Sequence, residues 1–154
     1  MSEKGLILLS AGGTGGHLFP AQALAEVLIS RGWQVDLVTD ERGDRYGGKF
    51  PAKEMHIIPA ATVRGGNPLT YAKTMFVLGI GVIRAWFLIG KLKPRVVVGF
   101  GGYPTLTPVI AASLRGVKTA IHDQNAVMGR ANRMLADRVD VVATSFPKVH
   151  MLGA

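Results

Sequence analysis

Cysteine is absent from this chain of 154 residues, which excludes a disulfide framework, a thiolate metal site and a cysteine nucleophile, and permits a reducing compartment. Acidic residues are missing from residues 55–122, where Arg64, Lys73, Arg84, Lys91, Lys93, Arg95, Arg115 and Lys118 all fall. Elsewhere acids and bases balance, so this segment carries the whole formal charge of +8. One-sided basicity implies an anionic partner. Met, Phe, Ile, Leu and Trp are interleaved with these cations, rather than the polar contacts and stacking platforms of a nucleic-acid surface, so no nucleic acid is expected. The start lacks a secretory pattern, because its short apolar run breaks at Gly12 and Gly13 and no small-residue cleavage site follows. A cytoplasmic protein with neither metal nor cofactor is the expectation.

What is present is a composition suited to one compact domain over 1–154: 48% hydrophobic residues and only 18% charged. Short β-rich runs at 6–10, 34–39, 56–59, 95–100, 118–122 and 139–143 alternate with helical patterns. Continuous apolar stretches such as Val96-Val97-Val98 fit strands buried on both faces. The expected fold is therefore α/β, a doubly wound parallel sheet. Residues 145–154 carry no further periodic pattern, as at a domain boundary.

After the first predicted strand comes Gly12-Gly13-Thr14-Gly15-Gly16-His17, with a helix predicted over 21–30. Glycines there let backbone N–H groups approach a ligand, with a positive helix end behind them. No Gly-Lys-Ser/Thr follows, so this is not a P-loop, and Leu18 stands where a dinucleotide fingerprint needs its third glycine. Two readings stay open: an anion cradle, or a tight turn with no ligand. His17 is likewise either a general base, with its pKa lowered by the helix end, or a structural histidine.

A second cradle is predicted at Gly101-Gly102-Tyr103, after the run ending in Gly99-Phe100, with Pro104 or Pro108 in the first turns of the next helix. His122-Asp123-Gln124-Asn125 follows another strand. In an open parallel sheet all three clusters lie outside the carboxyl ends of the strands, on one edge.

Residues 71–92 are strongly apolar, but Arg84 sits mid-segment, where insertion costs roughly 2.5–3.5 kcal/mol. The segment reads as a helix lying on a membrane. Lys73, Arg84 and Lys91 align on one stripe with Val77, Ile80, Phe87 and Leu88 beside them, facing an anionic membrane surface. Met75, Leu78, Val82 and Ile89 face the sheet. The other reading is a core helix covered on both sides, its cations reaching out to water.

The three motifs, in this order and spacing, resemble the MurG family of UDP-N-acetylglucosamine:undecaprenyl-pyrophosphoryl-N-acetylmuramoyl-pentapeptide transferases, over essentially the whole chain. The resemblance implies a Rossmann-like N-terminal domain of a two-domain GT-B glycosyltransferase, working at the cytoplasmic face of the bacterial inner membrane as a peripheral protein. It implies an inverting transfer in which the C4 hydroxyl of the lipid-linked muramoyl sugar attacks the anomeric carbon of UDP-N-acetylglucosamine and UDP leaves. On this chain, Gly12, Gly13, Gly101, Gly102, Tyr103, His122, Asp123 and Gln124 would hold the acceptor and its pyrophosphate. His17 would be the base or an orienting group. Thr14, Gly15, Gly16 and Asn125 would approach the donor, most of whose contacts lie in a C-terminal domain not in this chain, so that the chain alone is expected to be inactive. The family usually has Glu where Asp123 stands. The alternatives are another GT-B enzyme acting on a lipid or natural-product acceptor, against which the His-Asp-Gln-Asn cluster argues, and a non-enzymatic module binding a phosphorylated ligand.

Overall fold

The structure is a computed structural model that describes residues 4–43, 50–62 and 66–150; Arg64 lies outside them. In chain order the elements are β1 (Leu6–Ser10), α1 (Gly15–Ser30), β2 (Gln34–Thr39), β3 (Met55–Ile57), α2 (Pro68–Leu92), β4 (Val96–Gly99), a 3-10 turn (Tyr103–Thr105), α3 (Leu106–Leu114), β5 (Lys118–Asp123), α4 (Arg130–Leu135) and β6 (Val141–Thr144).

The six strands form one sheet in the order β3-β2-β1-β4-β5-β6, and every neighbouring pair is parallel. That is the Rossmann order, whose direction of growth reverses between β1 and β4 and opens a crevice there. Alternation along the strands supplies two core faces. Leu8, Val97 and Ile121 pack with Ala85 and Ile89 of α2 and with Val109 and Ala112 of α3. Ile7, Leu9 and Leu37 pack with Leu18, Ala21 and Ala25 of α1. Helices thus cover both faces, as the continuous apolar strands predict.

Helix α1 starts at Gly15, six residues before the predicted start, and contains Pro20. Glycine and proline argue against helix by propensity. Here the glycines occupy the first positions, where backbone N–H groups lack helical partners in any case, and Pro20 leaves only the Gly16 carbonyl without its usual partner. Helix α2 also starts early. Asn67 caps it, its side-chain oxygen accepting from the Thr70 N–H at 2.8 Å, and Pro68 takes the first helical position. It stops at Lys93, which is left-handed with φ of 50°, just before Pro94.

The packing of α2 corrects two expectations about its faces. Its buried residues are Gly81, Ala85 and Ile89, with Val82, Leu88 and Leu92 packed against the same core. Leu88, predicted to face outward, turns inward because it lies seven and three residues after Gly81 and Ala85. Met75, predicted to pack inward, is 37% exposed, since residues 68–73 of α2 are exposed all round and the core begins further along.

Candidate functional site

Strand register places the site. Ser10 at the end of β1 is paired with Gly99 at the end of β4, so both glycine turns leave the sheet at the same level. The Phe100 N–H donates to the Ser10 carbonyl at 2.9 Å, and the Thr105 hydroxyl donates to the carbonyls of Ser10 at 3.2 Å and Gly101 at 2.8 Å. The turns are consequently fastened to each other as well as to their strands.

Glycine is required at the junction. Gly101 and Gly102 have φ of 95° and 78°, and Gly102, with ψ of 155°, occupies a region essentially closed to other residues. A Cβ on Gly102 would stand 2.6 Å from the Gly12 carbonyl oxygen, and one on Gly101 would stand 3.0 Å from the His17 ring. Gly13 is different: its φ is 84°, yet a Cβ there would meet nothing within 4 Å, because it borders open space.

That space is a cavity of about 280 Å³ lined by Gly12, Gly13, Thr14, His17, Gly101, Gly102 and Tyr103, with Pro104, Asp123 and residues 129–132 on one side and Arg42 and Thr62 on the other. His17 is part of its wall. Its Nδ1 is 3.0 Å from the Phe100 carbonyl oxygen and 2.7 Å from the Gln124 side-chain amide. A carbonyl only accepts, so the Phe100 bond needs the proton on Nδ1; the Gln124 amide must then turn its otherwise unpartnered Oε1 toward that proton, and the neutral ring carries its lone pair on Nε2. Burial pushes the His17 pKa below the ordinary value of 6.5, outweighing the Phe100 hydrogen bond and the Asp123 charge, which raise it. The direction is the one expected from the sequence, with burial as its largest cause.

Asp123 is 1% exposed and ionised. Burial by itself would raise its pKa, but hydrogen bonds from the Asn125 N–H (2.9 Å), the Asn132 amide (2.9 Å), the Gly129 N–H (3.0 Å) and the Asn125 amide (3.3 Å) lower it on balance. These bonds staple the loop between β5 and α4 to the cavity wall. His122, one residue earlier, faces the other way, as strand alternation requires. Its Nε2 is 3.2 Å from the Ser145 hydroxyl, its ring centroid is 5.6 Å from that of Phe100, and it does not line the cavity. Burial lowers its pKa too, against the Asp123 charge. Gln124 reaches the site through His17. Thr14, Gly16 and Asn125 are exposed and Gly15 is half-buried beneath Phe19, all at the open ends of β1 and β5.

Sequence reasoning missed Arg42, Thr62, Arg130 and Asn132. Arg42 and Thr62 come from the segments after β2 and β3, which only the strand order brings beside the first glycine turn. Asn132 is 2% exposed, donates to Asp123 and to the His122 carbonyl, and has an unpartnered buried Oδ1. The one signal for it was an Asn between Ala131 and Leu135, the two buried apolar residues of that short helix.

On the outer face, Leu69, Phe76, Ile83 and Phe87 of α2 are 59–78% exposed and lie on one stripe beside the exposed Lys73, Arg84 and Lys91. Val77 and Ile80 are half-buried at its edge. Trp86 borders the other side, with the Arg115 guanidinium 4.5 Å above its ring.

Residues 7–144 match the model of the glycosyltransferase family 28 N-terminal domain. Among curated proteins, the UDP-N-acetylglucosamine--N-acetylmuramyl-(pentapeptide) pyrophosphoryl-undecaprenol N-acetylglucosamine transferase of Rhodopseudomonas palustris is 61% identical over 96% of this chain. The protein of the same name from Allorhizobium ampelinum is 59% identical over 93%. The chain spans 40% and 38% of the length of these two relatives. Among solved structures, Acinetobacter baumannii MurG is 31% identical and superposes with a TM-score of 0.82 over 96% of this chain and 44% of that one. A UDP-N-acetylglucosamine 2-epimerase superposes at 0.64 with 14% identity, a likeness of fold alone. With the Rossmann strand order and the two fastened glycine turns, these matches establish that the chain belongs to the glycosyltransferase family 28 N-terminal domain family.

Proposed function

We propose that this chain is the acceptor-binding portion of an N-acetylglucosaminyltransferase that converts a lipid-linked N-acetylmuramoyl-pentapeptide pyrophosphate to its disaccharide form. The observation that carries the reading is the His17 ring, seated on Gly101 and Gly102 and bonded to Phe100, lining a glycine-walled cavity in its neutral form. Relatives of 55–61% identity over most of the chain bear the corresponding name, which supports the substrate class.

In this reading the acceptor's pyrophosphate rests on backbone N–H groups of the two turns. The acceptor C4 hydroxyl gives its proton to Nε2 of His17 as its oxygen bonds to the anomeric carbon of UDP-N-acetylglucosamine. The bond from that carbon to UDP breaks, and UDP departs with the electron pair. Gln124 and the Phe100 carbonyl hold the ring in register, and Asp123 holds the loop that carries Gln124. Thr14, Gly15, Gly16 and Asn125 face the donor, whose remaining contacts belong to the part of the relatives that this chain does not span.

The stripe of α2 is the face that meets the membrane, at the cytoplasmic side of the inner membrane. Exposed aromatic and aliphatic side chains enter the acyl boundary while Lys73, Arg84 and Lys91 meet anionic head groups. The 25-residue helix has the length and mean hydropathy (1.8) to cross a bilayer, but its Gly81 face is packed on the domain, which favours lying flat.

The test is calorimetric titration of the chain with a soluble short-prenyl analogue of the muramoyl-pentapeptide pyrophosphate, beside UDP-N-acetylglucosamine. Saturable acceptor binding with weak or absent donor binding is expected. Donor binding without acceptor binding would reverse the assignment and make this a nucleotide-sugar domain.

A further inference from the structure

A second cavity shares part of its wall with the glycine cavity. Arg42 and Thr62 line both, and the second, of about 370 Å³, lies over the ends of β2 and β3. The Arg42 side chain is 54% exposed, and its Nε donates to Oδ2 of Asp40 at 2.8 Å, whereas the Asp40 side chain is only 7% exposed. The other Asp40 oxygen accepts from the Gly43 N–H at 3.1 Å and faces the first glycine turn, where a Cβ on Gly12 would stand 3.1 Å from it. A buried carboxylate thus fixes a guanidinium relative to the turn.

Nε is the group spent on Asp40. Among the described residues no partner is within hydrogen-bond distance of either Nη, the pair that forms the outer fork of the guanidinium. An ion pair with a half-exposed partner adds little stability, which leaves the fixed position of Arg42 without a structural purpose of its own. Among the described residues the charged groups lining the glycine cavity are Arg42, Arg130 and Asp123, the Asp123 oxygens already engaged by the chain, and Asp40 and Glu41 line the second cavity. The backbone donors of the glycine turns suit one phosphate, and a planar fork at the rim suits a second.

We infer that Arg42 binds the second phosphate of the acceptor and makes the site select a diphosphate ester over a monophosphate. Asp40 is its positioning residue. This rests on the glycine cavity being the site of the acceptor's phosphates, and the test separates the two.

The probes are geranyl diphosphate and geranyl monophosphate, titrated calorimetrically into the chain and its Arg42→Gln, Arg42→Lys and Gly102→Ala variants. The unaltered chain should prefer the diphosphate. Arg42→Gln should lose about tenfold or more of diphosphate affinity, the loss expected for one charge-assisted contact, while monophosphate affinity and Tm stay nearly constant. Arg42→Lys should retain part of the preference, since a point charge replaces the fork. Unchanged diphosphate affinity in Arg42→Gln, or equal loss for both esters, would overturn the role of Arg42. If Gly102→Ala weakens both esters in the same experiment, the cavity assignment survives that failure. Absence of binding by the unaltered chain would overturn both.

Discussion

His17 Nδ1 lies 3.0 Å from the carbonyl oxygen of Phe100, a bond that ties the helix after the first glycine turn to the backbone of the second, 83 residues later in the chain. The bond raises the His17 pKa, but burial outweighs it. Burial lowers both His17 and His122 below 6.5, so in the native state each resists a proton that the unfolded chain accepts. Where the unfolded state binds more protons, stability rises with pH. Stability should therefore be steady above neutrality and fall as pH drops through the unfolded value near 6.5 toward the folded values. Urea melts at a series of pH values check this, with His17→Gln flattening part of the slope. Imidazole resonances titrating above 6.5 would contradict it.

The two turns place different demands on their glycines. Gly102→Ala adds a clash at 2.6 Å with Gly12 to a backbone region that costs about 1–3 kcal/mol for a side chain. Gly13→Ala meets open space and carries only the cost of positive φ, about 1–2 kcal/mol. Thermal melts should rank Gly102→Ala clearly below Gly13→Ala. Acceptor binding should be lost in the first through distortion of the turn, and in the second through a methyl group placed in the cavity. Equal melting temperatures would show that the fastening of the turns is weaker than drawn.

Much of this fold is legible in the sequence. Strands β1 and β2 were read to the residue, because runs such as Leu6-Ile7-Leu8-Leu9 are short, apolar and closed by turn residues. That the two glycine turns share one edge was legible because the strand ends of a parallel sheet lie together, as the pairing of Ser10 with Gly99 has it. The starts of α1 and α2 were not, since glycine and proline oppose helix locally and only end positions and tertiary packing admit them. Arg42 and Thr62 were invisible for a different reason: what brings them to the cavity is strand order, and nothing local marks which strand will neighbour β1. His122 and Asp123 could be assigned to one cluster from their adjacency, but adjacent strand residues point to opposite sides, so only Asp123 lines the cavity.

The outward stripe of α2 makes a prediction that separates binding from folding. Phe76 and Phe87 are 70% and 71% exposed, so replacing both with Ser should leave Tm nearly unchanged. Pelleting with vesicles rich in anionic lipid should fall sharply in that variant. Binding by the unaltered chain should weaken in high salt, because the Lys73, Arg84 and Lys91 contribution is screened. Vesicle binding indifferent to both the aromatic pair and the salt would remove α2 from the membrane.

Two glycines of that helix, two residues apart, should respond with opposite signs. A Cβ on Gly79 meets nothing within 4 Å, so Gly79→Ala should gain the helix-propensity difference of about 0.8–1 kcal/mol. A Cβ on Gly81 would lie 2.7 Å from the Pro59 carbonyl oxygen and 2.8 Å from the Thr107 methyl, where α2 packs on α3 and on the segment after β3. Gly81→Ala gains the same propensity but must push the helix outward, an overpacking cost of about 1–3 kcal/mol. Chemical denaturation of the two single variants measures the balance. A stabilised Gly79→Ala beside a destabilised Gly81→Ala would confirm that α2 is seated on the domain through its Gly81 face, leaving the opposite stripe free. If Gly81→Ala were the more stable of the two, the contact would be loose and the division of α2 into a packed face and a membrane face would fail.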